Sequence, residues 1–282
     1  MSNFWQRTIT GILFVAVIIF AVFAPFWVTV LIFSAFAALT TYEFHKLTNK
    51  QDGVDVNPII PAIASAVLSL QVFISTLYYS ETHMSMEHTY ALGGAFVLIY
   101  FVFFLYVLIF ELFRNKANPI NNIAYTILGQ IYIAWPFSLI LLIGGAGIWQ
   151  LEIFMLALFV LIWANDTFAY LIGVSFGKHK MFERISPKKS WEGFVGGLVG
   201  ALAVAFVFSY FTETHLSTAA WFGFAMLVVI FGTLGDLLES LMKRTIGVKD
   251  SGNILPGHGG LLDRFDSLLL AAPIIYIYMQ LF

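Results

Sequence analysis

Between Arg7 and Glu43 the chain carries no charged residue. At a rise of 1.5 Å per residue this run is too long for one bilayer crossing, and Pro25 in its middle cannot continue helical hydrogen bonding. Two short helices meeting at Pro25 are therefore expected. A cleaved signal peptide ending near Ala24 is the alternative for the first of them, but Arg7 alone is a thin basic region and Pro25 would directly follow the cut. Inside a bilayer the backbone must satisfy its own hydrogen bonds, which leaves helices and closed barrels. Long unbroken apolar runs exclude the short alternating segments of a barrel. The expected fold is an all-α, polytopic integral membrane protein.

The rest of the chain repeats the pattern. Hydrophobic residues make up 60% of the sequence and charged residues 11%, with a mean hydropathy of +0.88. Further apolar runs cover about 58–79, 91–113, 120–143, 151–174, 191–211, 218–245 and 261–282, giving about nine transmembrane helices. They group as N-terminal helices (1–90), middle helices (91–150) and a C-terminal set with large polar loops (151–282). A Gly144-Gly145-Ala146-Gly147 turn separates the fifth run from the sixth. Glu81, His83, Glu87 and His88 follow the third run, but their spacing fits no ligand motif, so a solvated loop is expected there. Threading nine helices puts all 14 Lys and Arg residues on one side. By the positive-inside rule the N-terminus is then cytoplasmic and the C-terminus external. The few basic residues sit beside apolar spans, which argues against nucleic-acid binding. The absence of cysteine excludes disulfides, thiolate nucleophiles and zinc–cysteine sites.

The chemistry-bearing residues crowd into the last third. A charge near the bilayer centre costs roughly 2.5–3.5 kcal/mol on insertion scales, so charges bordering apolar spans are functional candidates. Asp236 ends the uncharged part of the eighth span, and Ser240 and Lys243 follow at i+4 and i+7 on the same helix face. Glu239 precedes Lys243 by four residues, so a simple helix salt bridge is an open reading for that pair. In the next loop, Gly257, Gly259 and Gly260 permit close backbone approach and positive φ. Free N–H groups at the start of the ninth helix would then form an anion site. Asp263, in the first turn of that helix, is either a dipole-favouring cap or the partner of Asp236 in a two-carboxylate site suited to Mg²⁺.

Upstream of the seventh span, Ser186-Pro187-Lys188-Lys189-Ser190-Trp191-Glu192-Gly193 stands at a helix start, where Ser190 and Glu192 can cap. Lys178 and Lys180 read as orienting charges or headgroup contacts. Asn165-Asp166 is a polar break inside the sixth span, and a buried Asp there needs a partner. Gly193, Gly196, Gly197 and Gly200 form overlapping G-x-x-x-G patterns, which mean close helix packing rather than a phosphate loop.

Ser240, Lys243, Arg244, Lys249, Asp250, Pro256, His258, Gly259, Gly260, Asp263, Arg264 and Asp266 together resemble the signature of the phosphatidate cytidylyltransferase (CDP-diacylglycerol synthase) family, with every fixed position filled. Ser-Pro-Lys-Lys-Ser-x-Glu-Gly resembles a second segment of that family. The resemblance implies an enzyme of phospholipid biosynthesis in the cell (inner) membrane, with its active site facing the cytoplasm. Its reaction would be CTP plus phosphatidate giving CDP-diacylglycerol plus pyrophosphate. Asp236 and Asp263 would hold Mg²⁺, and Asp236, Lys243, Asp263 and His258 would form the catalytic set. Lys188, Lys189, Ser190, Asp166, Ser240, Arg244, Lys249, Gly259, Gly260, Arg264 and Asp266 would contact substrate. The resemblance also admits a second cation and a homodimer through the middle helices. Two other readings stay open: a CTP-dependent kinase of isoprenoid alcohols, and a transporter. A transporter site belongs near the midplane between repeated halves, whereas here the polar cluster is at one face and no repeat is visible.

Overall fold

The computed structural model describes residues 3–82, 86–144, 151–212, 214 and 216–282. Two compact units are present, Met1–Trp149 with Asp250–Leu262, and Gln150–Lys249 with Asp263–Phe282.

The first unit contains α1 (Asn3–Phe23), α2 (Phe26–Thr48), α3 (Ile59–Thr82), α4 (Met86–Arg114), α5 (Pro119–Gly129), a π-helical segment (Gln130–Ala134) and α6 (Trp135–Ile143). The break at Pro25 falls where the sequence requires it. A helix was also expected over 120–143, and a continuous one is found with a π-helical turn in its middle. Pro136 lies in the first turn of α6 and has no N–H to donate, so the ladder shifts register just before it. Gln130 in that turn turns inward. Its Nε2 donates to the Pro61 carbonyl at 2.9 Å, and its Oε1 accepts from the Tyr100 hydroxyl at 3.0 Å. Phe33, Phe44, Phe137 and Leu141 are among the fully buried side chains of this unit.

α3 reaches Thr82 and α4 starts at Met86, so Glu81, Glu87 and His88 stand on helix ends rather than in a loop. His83, and the glycine turn beyond Gly144, lie outside the described residues.

The second unit comprises α7 (Leu151–Phe176), a two-stranded antiparallel hairpin of β1 (Lys180–Phe182) and β2 (Ser186–Ser190), α8 (Trp191–Phe211), α9 (Thr218–Thr245) and α10 (Leu262–Met279). α10 begins on the last residue of the first unit and continues through the second. Trp221 on α9 is fully buried and stacks on Phe154 and Phe208 at centroid distances of 5.4 and 5.5 Å. The G-x-x-x-G glycines serve close packing, as expected. A Cβ on Gly196 or Gly200 would collide with Ile172 or Phe168 of α7. α9 and α10 run antiparallel and also touch through glycines. Gly223 meets Tyr278, whose hydroxyl donates to the Ala220 carbonyl at 2.8 Å, and Gly235 abuts the Asp266 carbonyl.

Each segment read as a span lies on helix. Among the described residues, six helices are long and apolar enough to cross a membrane: Trp5–Phe23, Phe26–Thr48, Pro119–Ile143, Glu152–Phe176, Trp191–Phe211 and Thr218–Thr245. Their outer faces carry large exposed apolar side chains such as Phe20, Phe23, Val199 and Phe206. Such a surface is stable against lipid and costly against water. The protein is a helical, multi-pass membrane protein.

Candidate active site

In the second unit, the connection from α7 to α8 was expected to be a loop, and it folds as the β1–β2 hairpin. Three- and five-residue strands are too short to leave a readable alternation in sequence. The hairpin delivers Lys188 and Lys189 to the start of α8. Ser190 caps that helix as predicted, its hydroxyl accepting the Gly193 N–H at 3.1 Å. Glu192 stands in the first turn of α8 and also reaches across to the hairpin. Its carboxylate accepts the N–H groups of Lys178 and His179, each at 3.2 Å, and pairs with the His179 ring, closing the hairpin onto α8.

Lys188, Lys189, Ser190 and Gly193 form one wall of a cavity of about 260 Å³. Asp166, Lys188, Lys189, Ser190 and Asp236, all singled out in sequence, line it together with Tyr170 and Thr233, which were not. Of the Asn165-Asp166 pair it is Asn165 that is buried, while Asp166 opens to the surface. The expected burial of Asp166 is thus corrected. One helical step rotates the side chain by about a hundred degrees, so neighbours on a half-buried helix face opposite environments. The Lys189 ammonium stands 2.6 Å from Asp236 Oδ2, and Ser240 donates to Asp236 Oδ1 at 3.2 Å. Asp166 and Asp236 are close enough to repel one another, and Lys189 offsets that repulsion.

A second cluster lies further along α9. Lys243 bridges Glu239 on its own helix and Asp263 on α10, the latter at 2.6 Å. The helix salt bridge and the contact to Asp263 therefore coexist on one ammonium. Glu239 is fully buried, with a side-chain exposure of 0%, and Asp263 nearly so at 8%. Gly223 meets Tyr278 and Gly235 meets Asp266, a register that sets Asp263 opposite α9 about one turn before Lys243, whose side chain reaches back to it. Asp236 and Lys243 are seven residues apart on one helix, about 10 Å along its axis. Each of the two predicted metal ligands thus holds its own lysine. Arg244 is exposed and donates to the Val248 carbonyl at 3.2 Å, while Lys249 and Arg264 are exposed.

The donor set suits a hard divalent cation. It consists of carboxylate oxygens, two of which already repel in a polar cavity. Among the described residues no three acidic or histidine side chains converge into a ready-made cage. An ion here would complete its shell with phosphate oxygens and water, as magnesium commonly does.

In the first unit, the loop 250–262 carries His258, Gly259 and Gly260. Gly257 and Gly259 have φ of 78° and 82°, left-handed values that favour glycine. Gly260 does not share them and is glycine for a different reason, namely close approach to Ser251 and Glu43. His258 packs against Gly11 of α1, where a Cβ would stand 3.2 Å from its Nε2. The helix start read in sequence as an anion site is already engaged by the protein itself, because Glu43 Oε2 accepts the Leu262 N–H at 2.9 Å. Glu43 was missed in sequence, where it marked only the end of an uncharged run. An acidic residue at the edge of an apolar span was the available signal.

The fold and site define a helical membrane protein whose polar cavity combines lysines with carboxylates. The comparisons place it more narrowly. Residues 5–282 match the model described as the Cytidylyltransferase family, and the chain belongs to that family. It is 34% identical over 287 residues to the phosphatidate cytidylyltransferase of Bacillus subtilis (strain 168), with 100% of both chains covered. It is 47% identical over 126 residues to that of Staphylococcus aureus (strain COL), covering 45% of this chain and 48% of the relative. To the Staphylococcus saprophyticus protein of the same name it is 46% identical over 167 residues, covering 59% of this chain and 60% of the relative.

Proposed function

We propose that this protein is a phosphatidate cytidylyltransferase, converting CTP and phosphatidate into CDP-diacylglycerol and pyrophosphate. The observation that carries the reading is the pairing of Lys189 with Asp236 at the wall of a cavity that Asp166, Lys188 and Ser190 also line, in a chain of this family.

In the proposed reaction a phosphate oxygen of phosphatidate attacks the α-phosphorus of CTP in line. The bond from that phosphorus to the bridging oxygen breaks, and pyrophosphate leaves with the electron pair. Such a transfer requires positioning and charge neutralisation more than covalent help from the protein. Lys188 and Lys189 hold phosphate at the cavity, and Ser190 presents α8's start beside them. Lys243, Arg244, Lys249 and Arg264 add positive charge on the cytoplasmic side. His258, Gly259 and Gly260 are the family-signature residues that would contact CTP phosphate, with His258 contacting phosphate or moving a proton. Ser240 and Asp266 orient groups around Asp236. Asp236 and Asp263 are the residues that would hold Mg²⁺, and a second cation fits the same chemistry. The bound ion would draw charge from the phosphate oxygens. An apolar groove of about 710 Å³, lined by Phe168, Ile172, Val195, Val199 and Ala203 of α7 and α8, offers a surface for an acyl chain.

This reading further includes nine membrane crossings, a cytoplasmic N-terminus, an active site facing the cytoplasm from the cell membrane, and a homodimer. The 14 basic residues on one side of the nine-helix thread support the orientation. The test is direct. Purified protein is given labelled CTP with either phosphatidate or an isoprenoid alcohol, and lipid-soluble label and pyrophosphate are scored. The reading expects both products with phosphatidate alone. Label transferred only to the alcohol, or to neither, contradicts it.

A further inference from the structure

Glu43 is 3% exposed, near the C-terminal end of α2. A buried carboxylate is expensive unless hydrogen-bond donors surround it. Here Oε2 accepts the N–H of Leu262, the first residue of α10, from a partner 219 positions away in sequence. That N–H is one of those left without an intrahelical acceptor, and the helix dipole favours an anion beside it.

Two glycines close the other sides. A Cβ on Gly252 would fall inside the contact radius of Glu43 Oε1, and one on Gly260 would collide with Ser251 Oγ and both Glu43 oxygens. Positive φ belongs to Gly257 and Gly259 but not to Gly252 or Gly260. Backbone conformation therefore does not explain why the latter two are glycine. Space does, because the chain can wrap this carboxylate only where side chains are absent. Between the two wrapped points lie Gly257, His258 and Gly259, in a tight turn in which the His258 N–H donates to the Leu255 carbonyl at 2.9 Å.

We propose that Glu43 is a positioning residue, an internal anion around which the loop from Ser251 to Gly260 closes. It fixes both the start of α10 and the presentation of His258-Gly259-Gly260 to the CTP phosphates. The effect on turnover rests on the function proposed above; the clamp itself does not.

The test uses the full-length protein with the substitutions Glu43→Ala, Glu43→Gln, Gly252→Ala and the Glu43→Ala/Gly252→Ala pair. Two quantities are read: KM for CTP with phosphatidate as acceptor, and amide exchange of the peptide 251–262 without substrates. Glu43→Ala and Gly252→Ala should each raise KM for CTP at least tenfold and exchange in 251–262 by a similar factor, leaving peptides of α8 and α9 unchanged. Glu43→Gln, which keeps one acceptor, should fall between. In the paired variant the collision is gone, so its losses should exceed those of Glu43→Ala by less than twofold. Should Glu43→Ala fail to fold, Glu43→Gln and Gly252→Ala decide by the same readouts.

Unchanged exchange in 251–262, or losses that multiply in the pair, would overturn the proposal. So would a uniform rise in exchange with KM for CTP intact, which is the mark of a merely structural glutamate. If the unsubstituted protein shows no turnover of CTP with phosphatidate, the proposed function has failed while the exchange arm still judges the clamp.

Discussion

The Lys243 ammonium lies 2.6 Å from Asp263 Oδ1 and also pairs with Glu239, so one cation joins two carboxylates from neighbouring helices. With Glu239 fully buried, removing the lysine leaves two neighbouring carboxyl groups without their shared partner. Breaking a buried ion pair in this way typically costs about 3–5 kcal/mol. Lys243→Met should therefore lower the unfolding temperature in detergent as well as abolish turnover. Adding Glu239→Gln to Lys243→Met should recover part of the stability and none of the activity. Equal thermal stability of Lys243→Met and the unsubstituted protein would show that the cluster is not the tie between α9 and α10 described here.

The basic loop separates into two kinds of lysine. Lys188 and Lys189 line the cavity, and Lys178 and Lys180 are not among its lining residues. Alanine at Lys189 should cost at least tenfold in kcat/KM, because it leaves Asp236 facing Asp166 without its cation. Alanine at Lys188 should also cost well above the twofold ceiling expected for Lys178 and Lys180. Small and equal losses at all four, measured with labelled CTP, would reduce the loop to a membrane-orienting device.

Topology gives an independent check. Reporter fusions after Lys50, Lys116, Lys189 and Lys249 should report cytoplasm, and fusions near His83, Gly145 and His215 the outside. A single loop on the wrong face would break the nine-crossing thread.

Much of this architecture was legible because bilayer physics leaves few choices. Uncharged runs, Pro25 and the Ser190 cap each specify local structure through groups close in sequence, and each is found as read. What was not legible depends on distant partners or on helix register. Nothing local announces that Glu43 will cap α10, or that Gly252 and Gly260 are spaced around its carboxylate. The i, i+7 face of Asp236 and Lys243 was visible. That the Lys243 side chain reaches Asp263 depends on how α9 slides against α10, set by Gly235 at the Asp266 carbonyl. The hairpin was hidden for a simpler reason, since its strands are shorter than any period they could display.

The measurement that bears most directly on the central claim is CDP-diacylglycerol synthesis in magnesium by Asp236→Asn, Asp263→Asn and the double variant. Each substitution keeps size and hydrogen bonding while removing one negative charge. If the two carboxylates serve one Mg–CTP complex, each single variant should lose nearly all turnover while remaining membrane-inserted and folded. The double variant should then be hardly worse than either, because ligands of one ion act as a unit. Asp250→Asn, at an exposed position of the loop, should stay within a few-fold of the unsubstituted protein. A double variant that still makes CDP-diacylglycerol at a near-normal rate would contradict the account.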